Sequence, residues 1–486
     1  MKDDTRESDA EEYKNFENMG LIDNNLEDKE YNFPYNKKKG VIKLILFLLI
    51  FILIIFLIII LIIFIKKNDN NNNNNENEKE KENDEKEKYE EDKEENCLTY
   101  NKTTNECSSC NFGYKLIDGK CILNYSFKAI YYTEEENENI KLINTPVSNI
   151  LEIIIDNQTV EPCIDHTFGS SGNHKVLILM NLTDIKSLNR LFYDINRITT
   201  ISFSNIFNTE NIDDMKYMFY NCYSLTSINI SLFRTQNVYD MDHMFDNCYS
   251  LSSVDLSSFI TNNLFEMDSM FYNCTSLTSI NISNFNMRNI IDISYLFYNC
   301  YSLTSITLSN INTFNVVDMS YMFFNCSSLT SINLNNFKTE KITDITSMFD
   351  NCLSLTSLDL SNFETSDLIN ADKMFKNCIS LTNINFNKFT AVSLKNINYM
   401  FYNCSSLKYL NLSSLNIEKE IKMEYMFYYC TNLEYLDISS IQNISGSNNT
   451  LFSEDIQTKG KIRVNISINE QIKEQLPKNW EIELKM

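Results

Sequence analysis

Three histidines, His166, His174 and His243, are all that the 486 residues provide. General acid–base catalysis and metal ligation both lean on imidazole, so the usual enzyme constellations have few residues to start from. Glycine (8) and proline (4) are scarce as well. That excludes glycine-rich phosphate loops, collagen-like repeats and proline-rich spacers. Between Gly172 and Gly446 there is neither residue, so Asn and Ser must make the turns. Positive charge is short too: 42 Lys and Arg stand against 65 Asp and Glu, a net −23. A chain so acidic lacks the clustered cations that neutralise phosphates, which excludes nucleic acid as a partner. At this length a single compact core is implausible unless the chain is a repeat array.

One apolar run dominates what is present. Residues 44–65 are uniformly Ile, Leu and Phe. A helix of that length covers about 33 Å, enough for a hydrocarbon core of about 30 Å. The run is too long and lies too far in for a cleaved signal peptide. Lys37, Lys38, Lys39 and Lys43 precede it and only Lys66 and Lys67 follow, which predicts a cytoplasmic N-terminus. All 13 N-x-S/T sequons fall after the run. The expectation is a single-pass type II protein of the plasma membrane, with a cytoplasmic tail (1–43), a transmembrane helix (44–65) and an extracellular remainder. Glycosylation candidates are Asn101, Asn124, Asn157, Asn181, Asn443, Asn448 and Asn465.

Residues 66–96 follow as a stalk of Asn, Glu and Lys that cannot bury a core. The segment 97–122 then places Cys97, Cys107, Cys110 and Cys121 within about 25 residues. Two disulfides would staple a module of this size, in an oxidising compartment and with no histidine nearby; a zinc site is the rival reading. The text CSSCNFGYKLIDGKC resembles the Cys-rich, EGF-like modules of surface proteins.

From Met215 the chain repeats every 26 residues in the form M-x-x-M-F-x-N-C-x-S-L-T-S-I-x-L-S-x-F-x-T-x-N-V-x-D, without insertion or deletion. Phe219, Phe245 and Phe271 open one column and Leu225, Leu251 and Leu277 another. Such a period means a solenoid in which each unit buries its apolar face against its neighbours. The stretch L-T-S-I-x-L reads as a strand. The Met and Phe of D-M-x-x-M-F, at i, i+3 and i+4, read as a helical turn or short helix. The predicted fold class is an α/β repeat solenoid, leucine-rich-repeat-like, with a parallel sheet on one face and short helices on the other. Residues 123–187 are expected to form an N-terminal β cap, 188–448 the solenoid and 449–486 a C-terminal cap with Trp480 as an apolar lid.

The unit resembles the repeats of the BspA-like leucine-rich-repeat surface proteins, M-F-x-N-C-x-S-L-T-S-L-D-L-S-x-F-x-T-S-N-V. The resemblance implies surface display, with adhesion or partner contact, and no catalytic activity. It implies no cofactor.

Three columns could carry chemistry. One Cys per unit, Cys222 to Cys430, reads as a small buried hydrophobe, since ligands spaced singly cannot converge on zinc. The Asn before it reads as a structural ladder satisfying turn backbone. Ser, Asn and Asp between the inward strand residues should form a polar exposed sheet face. On that face Lys408, Tyr409, Glu434 and Tyr435 replace the usual Thr and Ser or Asn. Two rings one unit apart, about 5 Å, could stack or grip a ligand, or shield the end of the array. No residue is nominated as catalytic, cofactor-binding or metal-ligating; Cys163, Asp165, His166 and His174 read as ordinary residues of the β cap. The function expected is adhesion or recognition of an extracellular protein or glycan; the alternative is a surface coat of self-associating solenoids.

Overall fold

A computed structural model describes residues 97–101, 106–110, 114–117, 120–123 and 125–485, less 183–184, 205–206, 310, 418, 445–449, 454–455, 457–458, 469, 471–472 and 477–479. The tail, the apolar run 44–65 and the stalk lie outside them. Among the described residues no helix is long and apolar enough to cross a membrane.

The small module is two hairpins. β1 (Cys97–Asn101) pairs antiparallel with β2 (Glu106–Cys110), and β3 (Tyr114–Ile117) with β4 (Lys120–Leu123). The next strand, β5 (Tyr125–Thr133), alternates strictly, burying Tyr125, Phe127, Ala129, Tyr131 and Thr133, as a half-buried strand must. It pairs antiparallel with Gly172–Met180 on one side and Ile198–Phe203 on the other. Ile198–Phe203 pairs in turn, now in parallel, with Ser227–Asn229 of the first full repeat. The antiparallel cap thus hands over to the parallel array within one sheet. It covers the edge that a first repeat would otherwise leave bare.

In the array the 26-residue period becomes structural register. Ser279, Ile280 and Asn281 pair with Ser305, Ile306 and Thr307; Tyr409, Leu410 and Asn411 with Tyr435, Leu436 and Asp437. A second parallel seam runs through Asp214, Asp240 and Glu266 and again from Asp292 to Lys422. Inside, the Met, Phe, Cys and Leu columns are fully buried. The Phe rings stack face to face, Phe219 on Phe245 at 5.4 Å and Phe271 on Phe297 at 5.6 Å.

The expected helices are absent from the second face: the M-x-x-M-F segments are successive tight turns. Alternate amides leave the unit, so Tyr217, Phe219 and Asn221 donate to Asp242, Met244 and Asp246 carbonyls of the next one. The amides between them close turns at home, Met218 to Met215 and Tyr220 to Tyr217. Tyr217 and Asn221 are left-handed (φ 55° and 59°), and both columns repeat this conformation. An α-helix keeps its bonds internal and is about 10 Å wide, so helices cannot stack where units approach to the 5.4–6.0 Å of the Phe ladder. The i, i+3, i+4 spacing of Met and Phe is satisfied instead by a turn that points all three inward.

At the far end Lys461–Asn465 and Glu481–Lys485 extend the sheet in parallel beyond Tyr435–Ile438. Trp480 closes the core against Phe452, with ring centroids 5.8 Å apart. It lies so close to Gly460 that a Cβ there would meet the ring at 2.4 Å. This is the lid expected of Trp480.

Candidate recognition surfaces

The polar sheet face divides into a structural column and a free one. At the end of most strands an Asn or Asp accepts from the amide two residues on with its side chain: Asn229 from Ser231, Asp255 from Ser257, Asn281 from Ser283 and Asp359 from Ser361; Thr307 takes this place in one unit. These carboxamides and carboxylates are Asx turns that end the strand. The bonds also hold the Asp255 carboxyl below its ordinary range. The column left exposed is Ser227, Ser253, Ser279, Ser305, Ser331 and Ser357, continued by Asn383, Tyr409, Tyr435, Lys461 and Glu481.

Tyr409 and Tyr435 therefore stand in the one sheet column not committed to turns. Tyr409 is 62% exposed, more than any other aromatic residue among the described ones. Its hydroxyl donates to Glu434 (3.1 Å), which Lys408 also reaches at 3.6 Å. Tyr435 is half-buried between Tyr409 and Lys461. The sheet runs two strands beyond it. Beyond the pair, Lys461 and Arg463 bind Glu483 at 2.7 and 3.4 Å.

A second surface was not singled out in the sequence. The residues flanking the buried M-F pair are tyrosines in many units, as in S-Y-L-F-Y-N-C, and they stack from unit to unit. Tyr272 lies on Tyr298 at 4.6 Å, Tyr298 on Phe324 at 4.6 Å and Tyr295 on Tyr321 at 4.8 Å, all within 6° of parallel. Their faces are consumed by one another, and a sugar platform needs a free ring face. Partial burial, then neighbouring acids and phenols, pushes the Tyr272, Tyr295 and Tyr298 hydroxyls up.

Beside this pavement the acids accumulate. The Asp column accepts amides two residues on, Asp292 from Ser294 and Asp318 from Ser320, both at 2.8 Å. Two units add Asp242 and Asp268 where central units carry Ser294 and Ser320. Carboxylate oxygens of Asp242, Glu266 and Asp268 come within 4.8 Å of one another. The Lys216 ammonium, 2.6 Å from Asp242 and 3.5 Å from Asp240, supplies their counter-charge. Burial first, then Asp242 and Asp240, pushes Glu266 up to about 7; burial and Asp242 push Asp268 up to about 8.

The ladders are structural. Each Cys thiol donates to a Phe carbonyl of the preceding unit, Cys248 to Phe219 and Cys274 to Phe245, both at 3.2 Å. Cys222 to Cys430 are unbonded and buried, and burial raises every one of these thiols. The Asn ladder bonds side chain to side chain, not to backbone: Asn247 donates to Asn221 and Asn273 to Asn247, both at 2.7 Å. A third ladder runs through the Thr of the repeat's F-x-T. Buried Thr235 donates to the Ile260 carbonyl (3.0 Å) and accepts from the Ile260 amide (2.8 Å).

In the small module Cys110 is bonded to Cys121, and Cys107 is disulfide-bonded too. Sulfur so bonded has no thiolate for zinc. Cys97 contributes its backbone opposite Cys110. The β-cap residues do not converge on one chemistry. His174 is buried, with Nδ1 2.7 Å from Asp156 and Nε2 3.0 Å from the Ser170 carbonyl. The His166 ring sits edge-on to Phe168 at 4.8 Å, and Cys163 is half-buried and unbonded. Of the sequons, Asn157 is exposed in a turn (φ 70°) and Asn443 is exposed, while Asn181 and Asn465 are half-buried. Asn465 Oδ1 accepts from both the amide and the hydroxyl of its own Ser467. Asn101 lies on β1; Asn124 and Asn448 fall outside the described residues.

The family described as Mycoplasma protein of unknown function, DUF285, matches residues 186–307, 277–380 and 317–441. The matches together cover 186–441, just over half of the chain. None of the curated proteins matches. Among solved structures, a chain of the crystal structure of the TLR13-ssRNA13 complex is similar over 56% of this chain, at 13% identity and a TM-score of 0.17. The alignment spans about half of that chain (52%), and a likeness of that score carries no argument.

Proposed function

The chain belongs to the DUF285 family, and on that footing we propose that it is a membrane-anchored cell-surface protein whose solenoid recognises an extracellular protein or glycan. The observation that carries the reading is Tyr409. A large aromatic side chain, 62% exposed and tied to Glu434 by its hydroxyl, occupies the free sheet column where most units carry Ser. Exposed Tyr held in one orientation is typical of binding hot spots, because little conformational entropy remains to be lost. The apolar run 44–65 and its lysine-rich N-terminal flank support the anchor. The resemblance to BspA-like proteins points to surface display.

The test replaces Tyr409 and Tyr435 by Ser, the residue of the earlier units, in cells displaying the full chain. Loss of adhesion with an unchanged melting temperature supports the patch. Lowered melting, with adhesion falling only as the folded fraction falls, returns the pair to a structural role. Concentration-dependent self-association of the purified chain, with adhesion intact in the variant, would favour the coat reading.

A further inference from the structure

Along one column the array exposes large apolar side chains in three successive units. Where the repeat reads N-V-x-D, the x position carries Tyr239, Phe265 and Ile291, which are 45%, 51% and 52% exposed. The valine-type residue before each, Val238, Leu264 and Ile290, is fully buried. The x residues are thus outward by construction. The Phe265 amide donates to the Tyr239 carbonyl at 2.9 Å, so these two units are in contact at this level, and the period places Ile291 one unit on. Later units break the run: Val317 is half-buried, Thr343 follows, and Ile369, 40% exposed, stands alone before Lys395.

The acid excess lies beside the same three units. Each x residue precedes an acid of the second seam, Asp240, Glu266 or Asp292, and Asp242 and Asp268 are added two positions on. Against these five carboxylates stands Lys216; His243 is 3.8 Å from Asp268 but is bound to Asp246 at 2.7 Å. Crowding of this kind raises the carboxyls of Glu266, Asp268 and Asp292, with burial the first cause in each. An apolar ridge bordered by under-neutralised acid asks for apolar surface and positive charge together.

We propose that the Tyr239–Phe265–Ile291 ridge and its acidic border dock a cationic amphipathic helix of a partner protein. Spacing decides for a helix. Units repeat at about 4.8 Å, close to the 4.5–6 Å advance of i, i+3 and i+4 along a helix, whereas alternate residues of a strand advance about 6.7 Å. Charge decides against the other occupants: a second copy of this chain carries −23 itself, and anionic lipid headgroups repel the border. The helix lays Leu-like side chains between the three ridge residues and its flanking Lys or Arg against Asp240, Glu266 and Asp268. This surface lies outside the Ser/Tyr sheet column, so the inference stands independently of the adhesion reading.

The test uses the purified full-length chain and three labelled synthetic peptides, followed by fluorescence anisotropy: a Leu/Lys helix with a single apolar stripe, its Leu/Glu counterpart, and a Leu/Lys peptide of the same composition with the stripe scrambled. The striped Leu/Lys helix should bind, and both others should bind at least tenfold more weakly. Phe265→Thr with Ile291→Thr should weaken binding at least tenfold without lowering the melting temperature, since Thr343 already occupies this column. Read at pH 9, where the raised Glu266 and Asp268 carboxyls (about 7 and about 8) are ionised and peptide lysines keep their protons, Glu266→Gln with Asp268→Asn should weaken binding and flatten its salt dependence. Equal binding of the Leu/Glu or scrambled peptide, or wild-type affinity in the Thr variant, overturns the proposal. Because no cells are involved, its failure leaves the adhesion result untouched.

Discussion

Replacing Asn377 by alanine removes two supports from one buried position. Asn377 is left-handed (φ 60°) and 7% exposed. It donates to Asn351 Oδ1 at 2.7 Å and accepts from Asn403 Nδ2 at 3.0 Å. A left-handed backbone costs an ordinary L-residue roughly 1–2 kcal/mol, a cost Asn largely escapes. Each ladder group left without its partner costs about 1 kcal/mol, the low end of the range, because Asn403 is half-buried. Asn377→Ala should therefore cost about 3–4 kcal/mol. Asn377→Gly frees the backbone but adds about 0.5–1 kcal/mol of chain entropy, so it should cost less than the alanine variant, about 2.5–3 kcal/mol by the same terms. Urea denaturation of the full chain reads both, with the exposed Ser331→Ala as a control expected within about 0.5 kcal/mol of wild type. An alanine variant as stable as that control would refute the ladder argument, and a glycine variant less stable than alanine would refute the role of the left-handed backbone.

Deleting residues 345–370 removes one period and should leave cooperative unfolding intact, whereas deleting 345–357 sets a strand against a turn and should lose most of the cooperativity; equal melting of the two would contradict the stacking register. In the folded protein the nine thiols from Cys222 to Cys430 should resist a thiol-reactive dye at pH 8 while half-buried Cys163 reacts, and unfolding should release all nine; early labelling of the ladder would contradict its burial. Burial pushes Asp350 up to about 7 against the lowering pull of Lys376 and Lys373. The folded chain then holds a proton between pH 4 and 7 that the unfolded chain releases. Stability conferred by this group is full below pH 4 and falls as pH rises to 7, by at most about 1.4 kcal/mol per pH unit. Asp350→Asn should reduce that slope in denaturation curves at pH 5, 6 and 7, and an unchanged slope would assign it to other groups.

The sequence by itself determined the array, its register and its contents. A strict period with no insertion admits only in-line stacking, and columns of Phe, Leu, Met and Cys cannot all be buried except against their own copies. One of the two left-handed columns was legible for a related reason: without Gly or Pro from 173 to 445, Asn is the recurring residue at ease in a left-handed turn, whereas the other column carries Tyr217, His243, Ser269 and Lys373, residue types that do not mark it. Tertiary structure alone decided what the second face would be. Met and Phe at i, i+3 and i+4 suit a helix or a run of turns equally, and only the 5.4–6.0 Å approach of stacked units excludes a helix about 10 Å wide. It also decided which polar residues are free. Asn281 and Ser279 look alike as exposed polar positions on a strand, yet the Asn is spent on the Ser283 amide while the Ser stays open. The Tyr239–Phe265–Ile291 ridge is likewise invisible in composition: an apolar residue next to a buried Val, Leu or Ile reads as core until the chain's turn points it outward, beside the acids of its neighbouring units.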